Sequence, residues 1–349
     1  MRQTAPHPPV IVVPEDTRPA GYVHGGLTKP IGILYEHPEW FRPLFAELDR
    51  RGLPYEPILA HAHRFDPAAQ SAPYGLVVNR VSPSAYLRGH TSAIFHARDY
   101  LAHLERLGVP IVNGSRAHAL ETSKARQITL LSELGIPHPR SRVVNAVDQI
   151  EPAAAELVYP VIVKPNIGGS GALMRRFDAA AELRAAVAAG ELDGSLGLDH
   201  TALVQEYHPP RGGSIVRVEG LDGRFLYAIR IQNDPGQGFN LCPADICQVP
   251  EGGAGTAGAG AVRVAPVRKV EATSPPAWVV DAVLRIFRVA GIDVGGVEYL
   301  ESERDGELYL YDVNALSNFV ADAPNVVGFD PFVQFVDYLA RRAGAARAA

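Results

Sequence analysis

Two strand-like runs between Gly291 and Asn314 flank Asp305-Gly306, and each carries a carboxylate, Glu298 in the first and Asp312 in the second. Asp-Gly between such runs signals a hairpin. If its loop is odd-numbered and centred on Asp305, Leu300 stands opposite Leu310 and Glu298 opposite Asp312, with Cβ atoms about 5 Å apart. Period-two alternation then sets Asp312 and Asn314 on the face of Leu308 and Leu310. Opposed carboxylates repel unless a cation neutralises them, and an all-oxygen donor set suits Mg²⁺. A two-residue Asp-Gly turn would instead set Glu298 opposite Val313 and part the acids.

A second stretch, VIVKPNIGGSG from Val161 to Gly171, ends an apolar strand on Lys164 and follows it with small residues. Glycines let backbone N–H groups approach phosphate, and a lysine adds a point charge. The lysine precedes the glycines, so this is no Walker loop, and GxGxxG is absent. An ordinary strand–helix turn is the other reading. Gln205-Glu206-Tyr207 lies at the end of the strand LVQEY, where a glutamate and backbone amides could read an adenine edge. Lys124, in Glu-Thr-Ser-Lys, starts a helix and taken alone is a surface residue.

Taken in order, these pieces resemble the ATP-grasp superfamily, and within it the RimK-type amino-acid (alpha-L-glutamate) ligases. The resemblance spans about residues 30–335 and rests on VIVKPNIGGSG, LVQEY and the pair GGVEYL and LYDVN. It implies an α/β chain with the ATP-grasp fold: an N-terminal parallel-sheet domain and two α+β subdomains that clasp ATP. It implies that Lys124 and Lys164 contact phosphates, that Gly168, Gly169, Ser170 and Gly171 cover them, and that Gln205, Glu206 and Tyr207 hold adenine. Glu298, Asp312 and Asn314 would hold Mg²⁺, with Mn²⁺ as an alternative. Arg217 and Arg230 would face phosphate or the developing acyl phosphate. The activity implied is ADP-forming ligation of a carboxylate to an amine, on amino-acid or peptide substrates. A dipeptide ligase of the D-alanine–D-alanine type and a non-catalytic ATP-binding regulator are the alternatives; the intact Glu298, Asp312, Asn314 set argues against the latter. Two departures stand out. The family's usual Asp-then-Glu order at the metal is exchanged, and Ala315-Leu-Ser-Asn318-Phe replaces a Ser-Ser-Pro-Gly-like run.

The positioning elements read as strands alternating with helices, which implies a parallel sheet with crossover helices. Strands are expected at 31–35, 55–59, 75–79 and 109–113, with helices around 40–48 and 94–107. Further on come a helix at 123–134, strands at 141–144 and 160–164, a helix near 178–189 and a strand at 202–206. A strand-rich part follows, 214–219, 224–232 and 294–313, with a helix from Trp278 to Ala290 before the last. The expected units are an arm at 1–28, the parallel domain at 29–115, a central lid subdomain at 116–205 and a C-terminal subdomain at 206–340. The tail 340–349 is expected to fray. Arg80, Ser82 and Arg88 follow a strand end where open sheets bind ligands. Arg80 and Ser82, with Asn318, are the candidates for substrate.

The chain has 349 residues with 33 basic and 38 acidic side chains, so nothing in its charge points to nucleic acid. Two cysteines, Cys242 and Cys247, exclude a disulfide scaffold, fit a reducing compartment and make a poor zinc pattern. His61 and His63 sit in a polar loop and read as surface residues. The Gly/Ala run 251–261 is a solvated loop or a lid. No run reaches the roughly 18 apolar residues of a membrane helix, and Val10–Val13 is too short for a signal-peptide core. A cytoplasmic protein without membrane partners is expected, with a homo-oligomer open.

Overall fold

The computed structural model describes residues 27–169, 171–232 and 269–345. The expected N-terminal arm up to residue 26, Ser170, both cysteines and the 251–261 run lie outside the described residues.

The chain builds three sheets. The first holds β1 (Ile31–Tyr35), β2 (Tyr55–Leu59), β3 (Leu76–Arg80) and β4 (Ile111–Val112), all parallel in the order β2-β1-β3-β4. Strands β1 and β3 are buried at every residue, as sheets covered on both faces require. Helix α1 (Arg42–Arg50) packs on one face and α2 (Thr91–Arg106) on the other.

The second sheet runs antiparallel through β5 (Ser141–Val144), β6 (Val161–Pro165), β7 (Arg175–Phe177) and β8 (Ala202–Glu206), in the order β5-β8-β6-β7. Helices α5 (Ile150–Ala155) and α6 (Ala180–Ala188) cover it with a small core of their own. Before it in the chain, α3 (Ser115–Glu121) and α4 (Lys124–Glu133) pack instead against the third sheet.

The third sheet holds β9 (Ser214–Leu221), β10 (Arg224–Gln232), β11 (Val270–Ala272), β12 (Val294–Glu301) and β13 (Leu308–Asn314), in the order β11-β10-β9-β12-β13. Helix α7 (Ala277–Ala290) buries Val279, Val283, Ile286 and Phe287 at i, i+4, i+7 and i+8 against one face. Gly291, with φ +68°, ends it in the left-handed conformation. Short α8 (Ala323–Val327) and α9 (Pro331–Ala345) pack with the first sheet on the other face. Helix α9 overturns the expected fraying through residue 345: Leu339 and Ala343 are buried, so tertiary packing holds a weakly patterned tail.

Two glycines let β12 lie where it does. A Cβ on Gly295 would sit 2.5 Å from the Asn314 carbonyl oxygen, and one on Gly296 would sit 2.7 Å from both Arg217 Nε and Glu219 Oε1. Gly295→Ala is expected to force β12 and β13 apart and to cost about 1–3 kcal/mol. Chemical denaturation would show this as a lowered midpoint, and a wild-type midpoint would contradict the close approach.

Candidate active site

The hairpin resolves the register differently from either expectation. Near the turn Glu301 pairs with Leu308, Leu300 with Tyr309 and Tyr299 with Leu310, so Leu300 does not oppose Leu310. A β-bulge then inserts Tyr311, and beyond it Glu298 does pair with Asp312. The bulge also corrects the face assignment. Leu310 and Val313 both enter the core under α7, while Asp312 and Asn314 point to the opposite side.

Across three strands the charges stand in ranks. Glu298 pairs with Arg217 on β9 and Asp312 on β13; Gly296 pairs with Glu219 and Asn314. Directly opposed residues share a face, so Arg217, Glu298 and Asp312 form one rank and Glu219, Gly296 and Asn314 the next. Arg217 donates from Nε to Glu219 Oε1 at 2.6 Å and from Nη1 to Glu298 Oε1 at 3.2 Å. Tyr311 donates its hydroxyl to Glu298 Oε2 at 3.0 Å. Lys124, the first residue of α4, ion-pairs with Asp312. Burial pushes Asp312 up, but the Lys124 ammonium outweighs it and holds the carboxyl below its usual range. Burial and the Asp312 charge together push Glu298 up. Glu121 was not foreseen: its carboxylate accepts the Ala315 N–H, and burial raises it to about 7.

Lys164, next to last in β6, is 3% exposed. Burial first, then the Lys124 charge, brings its ammonium down to about 7, against the pull of Asp312 and Glu298. An anionic ligand would raise it again. Above about pH 7 Lys164 is therefore expected to be largely neutral in the empty cavity, and nucleotide binding to take up a proton. Calorimetry in buffers of different ionisation enthalpy would measure it; uptake unchanged in Lys164→Met would assign it elsewhere.

The Gly-rich turn is tied to α4. Asn166 accepts the Ala125 N–H at 2.9 Å and the Ser123 hydroxyl at 3.1 Å, and its side chain donates to Asp199 at 2.6 Å. A Cβ on Gly168 would meet Lys124 Cε at 3.1 Å, and one on Gly169 would fall 2.4 Å from the Ser84 Cβ. The loop thus lies directly on the lysine and on the turn that follows β3.

One cavity brings together Lys124, Lys164, Gly168, Gly169, Gly171, Gln205, Glu206, Tyr207, Arg217, Glu298, Asp312, Asn314, Ser82 and Asn318. Trp40, Ser84, Glu121 and His208 complete its wall and had no signal in the sequence, since each becomes part of the site only through packing. The hinge reading needs correction. The Glu206 and Tyr207 amides donate to the carbonyls of Arg140 and Pro160, at 2.9 and 2.8 Å, and are not open to a ligand. The Glu206 carboxylate accepts the Val158 N–H at 2.9 Å, and Gln205 donates to Ser141 at 2.8 Å.

Two arginines are not brought in. Arg230 pairs with Val216, whose side chain enters the core under α7, so it lies on the face away from the carboxylates, where it donates to Ser214 at 3.1 Å. Ile229, not Arg230, stands opposite Arg217. Arg80 is 1% exposed and lies behind the cavity wall, its guanidinium between the Phe41 and Phe335 rings and bonded to the Ser317 carbonyl. It bonds the loop after Asn314 and does not line the cavity, and burial lowers it to about 10. Arg88 meets Glu36 and stacks 4.4 Å from the Trp40 ring centroid.

No family model matches the chain. It is similar to a probable alpha-L-glutamate ligase of Pseudomonas paraeruginosa, 27% identical over 257 residues, covering 72% of this chain and 74% of the relative. A D-alanine–D-alanine ligase of Haemophilus influenzae is 33% identical over 133 residues, 37% of this chain and 42% of that one. Among solved structures, a RimK domain ATP-grasp protein from Sphaerobacter thermophilus matches with TM-score 0.61 at 20% identity, over 88% of this chain and 98% of that one. The ATP-grasp ligase PsnB, complexed with a minimal precursor, Mg and ADP, matches with TM-score 0.59 at 19% identity, over 90% and 97%. The fold is the ATP-grasp fold. Within that class the chain is similar in sequence to RimK-type alpha-L-glutamate ligases.

Proposed function

We propose that the protein activates a substrate carboxylate with ATP as an acyl phosphate and then joins it to an amine, releasing ADP and phosphate. The observation that carries this is the meeting, in one cavity, of two lysines from separate elements with an all-oxygen set, Glu298, Asp312 and Asn314. That set fits Mg²⁺, because the two carboxylates already need a cation and borrow Lys124 for it. Bound there, Mg²⁺ would supply positive charge against the phosphoryl group during transfer. Mn²⁺, with the same preference for oxygen, is expected to substitute.

Lys164 binds phosphate, and Lys124, which pairs with Asp312, would be free to do the same if that carboxylate held a metal. The Gly168–Gly171 turn covers them, and the Gln205–His208 hinge borders adenine. A carboxylate oxygen attacks the γ-phosphorus, ADP leaves, and the acyl phosphate remains. The amine nitrogen then attacks the carbonyl carbon, phosphate departs and the nitrogen sheds a proton. The Gly169–Ser84 contact shuts out water that would hydrolyse the intermediate. Arg217 holds Glu298 and Glu219 in rank. Substrates enter between Trp40, Ser82 and Ser84 on one side and Ser317–Asn318 on the other. The buried Asn318 Oδ1, without a hydrogen-bond partner among the described residues, suits a substrate N–H donor. Amino acids or short peptides fill that role, and an ATP-fuelled reaction fits a cytoplasmic setting.

A screen of amino acids and short peptides in pairs, with Mg²⁺ and ATP and read as ADP release, is expected to find a productive pair. The local match to a D-alanine–D-alanine ligase makes D-alanine pairs a required arm. With the right carboxylate, ATP and hydroxylamine but no amine, a hydroxamate should form. ATP binding without hydroxamate from any carboxylate would favour a non-catalytic nucleotide binder.

A further inference from the structure

Outside this cavity, the ends of β1 and β2 and the start of α2 bring three other ligand-bearing side chains together. Glu36 follows β1, His61 follows β2 by two residues, and His90 immediately precedes α2. One ligand atom from each lies within 4.8 Å of the other two. Glu36 is 1% exposed, and its Oε1 meets His90 Nδ1 at 2.5 Å. The His61 and His90 rings stack with centroids 3.7 Å apart and planes 10° from parallel. His61 Nδ1 is buried with no hydrogen-bond partner among the described residues.

We propose that Glu36, His61 and His90 form a second metal site, for a Zn²⁺-class dication, separate from the Mg²⁺ set. Two imidazoles and a carboxylate are the donor mix such ions take in three-ligand sites with an open fourth position. A borderline ion is favoured over Mg²⁺ because two of the three donors are nitrogen. Arg88 competes for the carboxylate, with Nη2 at 2.5 Å from Oε2 and Nε at 3.1 Å from both oxygens. A carboxylate has two oxygens, and an arginine retained on Oε2 while Oε1 turns to the metal is a normal orienting partner. The orphaned His61 nitrogen is what an ion pair between Glu36 and Arg88 leaves unexplained.

The test is a Co²⁺ titration of the full-length, tag-free chain, with Mg²⁺ and ADP saturating the other site. One equivalent should bind with visible bands of four-coordinate intensity. His61→Ala and His90→Ala should each weaken it at least about tenfold. His96→Ala, which removes half of the neighbouring His63–His96 pair, should leave it unchanged. If His61→Ala fails to fold, His61→Gln keeps the bulk while removing the imidazole and carries the same test. The proposal fails if no equivalent binds, or if the His61 and His90 variants bind like wild type. It fails equally if an intense near-ultraviolet thiolate band places the ion on Cys242 and Cys247. The readout needs no turnover, so it stands apart from the ligase reading.

Discussion

Asp312→Asn is expected to lower turnover on the order of 10²–10³-fold, the scale on which removing one preorganised electrostatic group acts. The change keeps the side-chain volume but takes away the charge that pairs with Lys124 and that the proposed metal would need. The fold should feel the change too, because Asp312 neutralises the partly buried Lys124 ammonium. Breaking a fully buried pair from one side can cost about 3–5 kcal/mol; the cost here is smaller, because both side chains keep some exposure and the Glu298–Asp312 repulsion is relieved. Unfolding should therefore come at a lower temperature, and activity has to be compared well below it. Turnover like wild type in the variant, or equal wild-type turnover with and without chelator, would remove the case for a metal on Glu298, Asp312 and Asn314.

Lys164→Ala should weaken ATP binding by roughly ten- to a hundredfold at pH 6.5, from the 1.5–3 kcal/mol typical of a charge-assisted contact. The size of the effect should depend on pH. The free lysine titrates at about 7, so at pH 8 wild type must first take up a proton, and the loss on substitution shrinks by up to about tenfold. Lys269→Ala is the control, an exposed lysine paired with Glu271. Fluorescence titration with an ATP analogue at the two pH values measures both. A pH-independent loss would mean that Lys164 stays charged in the empty cavity, and equal effects from Lys164 and Lys269 would undo the phosphate cradle.

Much of the candidate site was legible in the sequence, and for a local reason. A lysine ending an apolar strand, a run of small residues after it and carboxylates on either side of Asp-Gly are short-range patterns, and the three-sheet arrangement carries them to one place. Even so, the Glu298–Asp312 pairing came out through a route that alternation does not encode. The turn alone would have left the register one residue off, and the extra Tyr311 restored it while turning Asp312 and Asn314 away from Leu310. A bulge depends on how the strand packs above α7 and how Tyr311 reaches Glu298, and both are tertiary facts.

The arginines divide along the same line. Residue type and neighbourhood made Arg217 and Arg230 look equivalent, yet the β9–β10 register, itself shifted by an irregularity between Phe225 and Tyr227, put them on opposite faces. Arg80 had the right place at a strand end, but Phe335 of α9 and Phe41 just before α1 closed over it and left its charge to hold Ser317. By itself the sequence determined the order of elements, the donor types and their spacing along the chain, because these follow from periodicity and from what each side chain can do. Only the tertiary structure decided which faces those donors share, that Ser84 lies under Gly169, and that His61 meets Glu36 and His90. Those outcomes depend on registers, bulges and contacts between segments far apart in the chain, and no local pattern specifies them.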